Sequence, residues 1–498
     1  MGLISIDERL KFNHTMTNEL KPYIKHPRKS RIQKPTSSIH HPLANNQPDT
    51  RETALYILNS LDKGNKTLDS ILETFTDKTD LLSKRDRSLL NALVYGVIRW
   101  RGRLDHIIDY LSNIPVTKID PKVLNVIRIG LFQIIYLSRI PVSAAVNTSV
   151  ELAKSFTSPW VIGFVNAILR NAAKKFENVP FPDPKKDPVS AIAAQNSFPK
   201  WLIKRWLHRY GEKETARLCD AVNAIPPITI RTNTLKTTRD ILLNSLKKEV
   251  EKIECTNYSP DGISFFKPNS PIPEIKSFKD GWFVVQDEAA QLVTLLLDAR
   301  PGDTVLDACA GLGGKTGHIA QIMKNQGIIF AIDKDERKLS RLVSEMKRLG
   351  ISIITPLACD LKKPLNIKGF KLFDRIFLDA PCSGIGALRR NPDIKWATSK
   401  KNLNYYKEKQ LLFLKNLACL VKPSGILVYA VCSSEPEENE AVVEEFLSNH
   451  SEFDIKNVSG LLSYGHTSFV SGGRYLKTLP HKNNMDGFFS VCFQKKPF

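Results

Sequence analysis

From about Arg51 to Lys175, apolar residues recur at three- and four-residue spacing. The runs RETALYILNSLDKG, KRDRSLLNALVYGVIRWRGRLDHIIDYL, PKVLNVIRIGLFQIIYL, SAAVNTSVELAKSF and WVIGFVNAILRNAAKKF each place an apolar stripe along a helix. Together they predict a compact all-α unit. Asp120-Pro121 supplies a cap and then a proline at the first helical position, where its missing N–H costs nothing. The stretch ENVPFPDPKKDP, Glu177 to Pro188, predicts a linker. PKWLIKRWLHRYG then reads as an amphipathic helix with basic residues between Trp201 and Trp206, and PITIRTNTLK alternates as a strand does. From Gly281 the pattern changes again. DTVLDACA, GIIFAID, ISIITPLACD, DRIFLDAP and GILVYAVCS read as buried strands, with helical stretches between them. One of these, DERKLSRLVSEMKRLG, is stopped by Gly350. GFFSVCFQ closes the chain. This alternation predicts a doubly wound, Rossmann-like α/β sheet, largely parallel. The expected organisation is therefore multidomain: a basic, non-periodic tail over 1–49, an all-α domain over 50–176, a small α+β region over 189–280, and an α/β domain over 281–498.

Composition adds a partner. Among 498 residues, 72 Lys+Arg against 51 Asp+Glu leave a formal charge of +21. A basic balance of that size favours polyanions, chiefly nucleic acid, over a charged surface kept only for solubility. Arg85, Arg87, Arg99, Arg101 and Arg103 lie between apolar positions of one predicted helix. They read as a solvated face or as a surface for RNA phosphates. In the tail, HPRKSRIQKP (His26 to Pro35) reads as disordered, with a phosphate-binding arm as the sharper alternative. No apolar run reaches the roughly 20 residues a bilayer span needs. The first residues, MGLISIDERLK, lack an apolar signal core. A cytoplasmic protein is expected, with no membrane and no obligate protein partner evident. Eight cysteines without a CxxC pair predict free thiols, with neither a disulfide framework nor a zinc site.

The reactive residue types fall where the predicted strands end. These are Asp307 and Cys309, Asp333, Asp360, Asp379 and Cys382, and Cys432. In such sheets ligands bind beyond the carboxyl ends of the strands. The loop AGLGGKTG is not a Walker loop, because Cys309 stands where the first glycine belongs, and not GxGxxG, because Thr316 stands where the last one does. A glycine turn followed by acids ending the next two strands suits a nucleoside without a phosphate chain. One acid accepts from the ribose hydroxyls and the other from the adenine amine, while helix-start N–H groups hold a carboxylate. S-adenosylmethionine has all three parts. Cys382 and Cys432, both at this edge, suit methylation at C5 of a pyrimidine. A thiolate adds to C6 and turns the ring into an enamine whose C5 attacks the methyl. Asp379 is placed to hydrogen-bond the N3/N4 edge, and a second thiol assists release. Cys219, Cys255, Cys419 and Cys492 read as structural.

The motifs DAPCSG, ACAGLGGKT, YAVCSSEPEENE, VQDEAAQLV and DGFFSV together resemble the RNA cytosine-C5 methyltransferases of the Sun/RsmB type. The helical region ahead of them is similar to the RNA-binding fold of NusB. The resemblance covers roughly residues 51–498. It implies a class I methyltransferase domain, S-adenosylmethionine as cofactor and ribosomal RNA, of the small subunit, as substrate. It also implies Cys432 as nucleophile and Cys382 as the residue assisting release. Cys309, Ala310, Gly311, Leu312, Gly313, Gly314, Lys315, Asp333, Asp360 and Asp379 then form the cofactor and active-site edge. Two departures stand out: Gly311-Leu312 replace the family's Ala-Pro, and Val431 replaces its Thr. Two rival readings are a DNA cytosine-C5 methyltransferase, whose nucleophile would be Cys382, and a catalytically inactive RNA-binding assembly factor.

Overall fold

The computed structural model describes residues 49–64, 66–75, 82–365, 372–460 and 469–497. The tail expected over 1–49 lies outside the described residues but for Asp49, and so does the basic stretch His26 to Pro35.

The helical region forms as its periodicity requires. Helices span Thr50–Asp62, Lys84–Leu111, Pro121–Tyr136, Val142–Lys154 and Pro159–Lys175. Asp120 caps the third of these, its carboxylate accepting from the N–H of Lys122 (2.9 Å) and Val123. That helix is the centre of the domain, with Val126, Ile127, Ile129 and Leu131 fully buried. Neighbouring helices approach it closely at Gly96, where an added Cβ would run into the Phe132 ring.

The arginines of helix Lys84–Leu111 do not make one exposed basic face. Arg99 is 7% exposed. Its guanidinium donates to the carbonyls of Val222, Asn223 and Ala224 and to that of Arg389 (3.0 Å). Arg101 pairs with Asp62 at 2.9 Å, and Arg103 lies over the Trp100 and Phe181 rings. Arg99 is spent on holding the helical domain to the rest of the chain and cannot serve phosphates.

The expected linker passes into a helix that periodicity does not announce, Pro188–Asn196. Lys200–Asn223 follows as a longer helix, kinked at Gly211 (φ 73°). A four-stranded antiparallel sheet comes next, in the order β2-β3-β1-β4, with β1 Ile228–Thr232, β2 Glu251–Cys255, β3 Gly262–Phe266 and β4 Phe283–Val285. Arg231 ties it to the last domain. It is 1% exposed and donates to the Gly314 carbonyl at 2.9 Å.

Among the described residues, the last domain forms a nine-stranded mixed sheet. Five strands are parallel: β5 Thr304–Asp307, β6 Ile328–Asp333, β7 Ile354–Ala358, β8 Phe373–Asp379 and β9 Val421–Val431. Their order in space is β7-β6-β5-β8-β9, with the reversal between β5 and β8. β13, Phe489–Lys495, adds to β9 antiparallel, and β10 (Phe453–Ile455), β11 (Val470–Ser471) and β12 (Tyr475–Lys477) continue that side. β7 was expected to be buried; it is the outer strand of the parallel side and is half-exposed along its length. Gly350 ends helix Glu336–Leu349 in the left-handed conformation (φ 76°), as expected.

Candidate active site

All five parallel strands deliver their ends to one edge. At its centre is the loop after β5. Gly311 (φ 57°) and Gly313 (φ 87°) adopt left-handed conformations that disfavour a side chain. An added Cβ at Gly311 or Gly314 would meet nothing within 4 Å, so the loop leaves an open cradle at the start of helix Gly314–Ile322. The Gly311 N–H donates to Asp333 at 3.1 Å, which binds the loop to the end of β6. Cys359, at the end of β7, donates its N–H to the Asp333 carbonyl, and Asp360 follows directly, its side chain accepting from the Lys362 N–H. Two carboxylates thus stand on adjacent strands beside the glycine cradle. Asp307 lies beneath it, 1% exposed. Thr316 donates to one of its oxygens at 2.6 Å, and the other, Oδ1, has no partner among the described residues. Burial pushes this carboxyl up to about 7. The Cys309 thiol is also pushed up, by burial first and then by Asp379, Asp307 and Asp333.

Across the reversal in strand order stand the two thiols. Cys382 follows β8 by three residues and Cys432 follows β9 directly. Their sulfurs are 3.3 Å apart. The hydrogen bond to Cys432, then burial, then the charges of Cys432 and Glu438 hold the Cys382 thiol well above the ordinary cysteine range. Either sulfur can donate its S–H to the other across this distance. Lys315 donates to Asp379 at 2.6 Å and lies over the Phe488 ring. Against the cost of partial burial, Asp379 keeps the lysine protonated, with Cys432 adding to the effect. The ammonium thus sits between Asp379 and the Phe488 ring.

One carboxylate holds the two cysteine loops in register. Glu438 is fully buried. It accepts from the N–H of Ser383 (2.7 Å), from the Ser383 hydroxyl and from the Ser433 hydroxyl (2.6 Å). These serines directly follow the two cysteines. Backbone contacts complete the arrangement. The Gly386 N–H donates to the Cys432 carbonyl (3.0 Å), and the Gly487 N–H to the Gly386 carbonyl (2.9 Å).

Comparison with known proteins decides the family. Residues 294–494 match the family described as 16S rRNA methyltransferase RsmB/F, residues 48–174 match the NusB family, and residues 198–271 match the ferredoxin-like domain of RsmF/B-like methyltransferases. The probable ribosomal RNA small subunit methyltransferase B of Bacillus subtilis is 36% identical over 448 residues, covering 90% of this chain and 98% of that protein. The chain belongs to the RsmB/F family. The ribosomal RNA small subunit methyltransferase B of Pseudomonas syringae pv. tomato is 35% identical over 86% of this chain and 92% of its own. Among solved structures, PH0851 superposes with a TM-score of 0.75 at 28% identity, covering 90% of this chain and 99% of that one. NSun6 from Pyrococcus horikoshii shares the fold, with a TM-score of 0.53 at 23% identity over 60% of this chain and 99% of its own. The fold expected from sequence is the RsmB/F fold: a NusB-like helical region, a small ferredoxin-like domain and a methyltransferase domain.

The structure brings Cys309, Ala310, Gly311, Gly313, Gly314, Lys315, Asp333, Asp360, Asp379, Cys382 and Cys432 to this one edge of the RsmB/F sheet; Leu312 points outward, 46% exposed. Lys315, expected only in the cofactor loop, reaches the thiol side of the site. Of the four cysteines read as structural, Cys219 and Cys492 are buried, whereas Cys255 and Cys419 are exposed. Sequence reasoning missed Glu438 and the serines it binds, although both serines stand in the cysteine motifs. It also missed Arg205 and Arg209. These reach from helix Lys200–Asn223 to the fully buried Glu435 at 2.7 and 3.0 Å, and Arg209 also donates to the Ser434 carbonyl. The basic residues near Trp206 thus fasten the loop after Cys432 in place.

Proposed function

We propose that this protein is an S-adenosylmethionine-dependent methyltransferase that acts on C5 of a cytosine in small-subunit ribosomal RNA, through a bond between Cys432 and C6. The observation that carries this reading is the pair of sulfurs 3.3 Å apart beside the Lys315–Asp379 pair, on the edge that also bears the glycine cradle. The residues present fit the cofactor. The space at Gly311 and Gly314 would hold its amino-acid end near helix-start N–H groups, and Asp333 and Asp360 would accept from its ribose and adenine. S-adenosylmethionine supplies an electrophilic methyl group when bound. The unpartnered Asp307 oxygen supports a site that expects a polar neighbour.

The residues then divide the work. Cys432 as thiolate bonds to C6, and its electron pair moves the ring electrons toward C5 and N3. Asp379 accepts from the N4 amine, and the Lys315 ammonium stabilises the negative charge pushed into the ring. C5 takes the methyl group. The remaining C5 proton must leave so that the S–C6 electrons return to sulfur. Cys382 suits this step because of what holds its proton beforehand. The first cause of its raised affinity is the hydrogen bond to Cys432, and a further one is that neighbour's charge. Once Cys432 is bonded to carbon, both are gone. Burial and the charge of Glu438 still oppose ionisation; Cys382 serves as base by passing its own proton to solvent before it takes the C5 proton, and the overall reaction releases one proton. The target cytosine must leave its stack to reach this pocket, so a single-stranded or loop position is expected.

Trapping on RNA tests the reading. Cys432→Ser should abolish both methylation and any covalent complex. Cys382→Ser should still bond and methylate but stall at elimination, accumulating a protein–RNA band on a denaturing gel. The opposite assignment, with the band in the Cys432 variant and none in the Cys382 variant, overturns it. RNA binding by the wild type without methyl transfer to any ribosomal RNA would favour an assembly factor.

A further inference from the structure

Helix Lys400–Ala418 is bonded to the loop that carries Cys382, and its opposite side is turned to solvent. It opens with a capping box between Ser399 and Asn402. Its inner face is Leu403, Gln410, Phe413, Leu414 and Leu417, all buried. Gln410 donates to the Pro381 carbonyl at 3.0 Å, directly before Cys382, so the helix is fixed to the reacting loop. Tyr406, one turn earlier, is half-buried, and its hydroxyl is pushed up by burial and then by the charges of Cys382, Glu438, Tyr405 and Cys432. The Lys409 ammonium lies over the Phe413 ring, 5.5 Å from its centre.

Beside this face runs a stripe at helical spacing: Lys401, Tyr405, Lys409. Tyr405 is 54% exposed, unusual for a large aromatic ring that no core requires. It stands edge-on to Tyr406 with ring centres 5.5 Å apart. Lys407 is committed to Glu445 at 2.8 Å. Lys401 and Lys409 are not in any ion pair among the described residues. The helix carries five lysines and one acid, Glu408. A flat ring flanked by cations suits a base and the phosphates on either side of it.

We propose that Tyr405, with Lys401 and Lys409, is a subsite for the nucleotide next to the target cytosine, Tyr405 stacking on its base and the lysines contacting its phosphates. The RNA ligand rests on the function proposed above; the subsite itself rests on the geometry of this helix. A base stacked here keeps the strand from relaxing while its neighbour is turned into the pocket beside Tyr406. Stacking reads the π-face and not the hydrogen-bonding edge, so the subsite tolerates any base and favours purines by area.

The test uses the full-length protein and a fluorescein-labelled single-stranded oligocytidylate, read by anisotropy without any turnover. Tyr405→Ala should weaken binding about ten- to hundredfold, the range expected for one lost base–aromatic stack. Tyr405→Phe should bind as the wild type does, because the ring is kept. Lys401→Ala should lower the salt slope of log affinity by about one. An oligonucleotide carrying 5-iodocytidine, irradiated on the protein, should crosslink to the peptide containing Tyr405. Equal affinity of Tyr405→Ala and wild type, or crosslinks confined to other elements, overturns the subsite and leaves the catalytic reading standing. A wild type with no affinity for single-stranded RNA overturns both.

Discussion

At the scale of single residues, the site depends on buried carboxyls whose charge state is set by their surroundings. Asp307 is the clearest. An unfolded aspartate ionises near the model-peptide value, about 3.9, whereas here burial moves ionisation up to about 7. Between those values the folded protein holds a proton that the unfolded chain does not. Stability must therefore fall as pH rises from about 4 to about 7, and above that the penalty is constant at a few kcal/mol. Asp307→Asn keeps an oxygen for Thr316 and removes the titration. Thermal unfolding across this range should show a smaller loss with rising pH in the variant, and parallel curves would refute the assignment. Glu438 is different in kind: it touches no reacting atom but sets where two of them stand. Glu438→Gln keeps the shape yet replaces one of two acceptor oxygens by a donor. Single-turnover methylation should slow about tenfold or more, with cofactor affinity unchanged. A rate within twofold of wild type would show that the serine loops hold themselves.

At the scale of elements, helix Lys200–Asn223 shows how a neighbouring domain builds the site. Glu435 is fully buried and relies on Arg205 and Arg209. Arg205→Ala leaves Glu435 with Arg209 and the Trp206 N–H, so its buried charge is only partly compensated, at a cost below the roughly 3–5 kcal/mol of a buried pair broken outright. Arg205→Ala should lower the melting temperature and the turnover together, and adding Glu435→Gln should restore part of the stability. No restoration in the double variant would place the effect elsewhere. Gly386→Ala bears on the same loop from beneath. Its Cβ would run into the Gly487 carbonyl, so kcat should fall sharply while RNA affinity in a direct binding assay holds. The strands, the capped helices and the acids at the strand ends were legible because they follow local rules: apolar period, cap residues, and the shared edge of parallel strands. Glu438 was not, because its meaning lies in Ser383, 55 residues away, and no periodicity joins them. Arg205 and Arg209 were missed for the same reason. A basic residue on an amphipathic helix looks solvated until a buried acid from another domain meets it. Arg99 shows the reverse error, an arginine suited to phosphate that is spent on backbone carbonyls.

At the scale of the whole molecule, the domains are joined by buried cations that have no carboxylate partner in their immediate bonds. Lys395, 1% exposed, donates to the carbonyls of Arg99 and Ser197 and to the Asn223 side chain, three points on two other domains. Burial, with Arg99 beside it, pushes its ammonium well below the usual lysine range. Trp396 donates to the Ile98 carbonyl next to it. Excising residues 51–175 would strip these groups of partners, so the helical domain cannot be judged by deletion alone. Point changes on its outer surface are the cleaner probe of RNA binding.

The spacing of the two sulfurs also has a consequence for exposure to oxidants. A thiolate at Cys432 can attack hydrogen peroxide, forming a sulfenic acid and releasing water. Cys382, 3.3 Å away, can then displace a second water and close a disulfide; two thiols and one peroxide become one disulfide and two waters. Peroxide should therefore silence the wild-type enzyme in a form that dithiothreitol restores. The Cys382→Ser variant should instead lose its capacity for covalent capture of RNA permanently, as Cys432 passes on to the sulfinic acid. Mass spectrometry of the peptides would separate the two fates. The thiol proposed to release the product would also guard the nucleophile against irreversible oxidation.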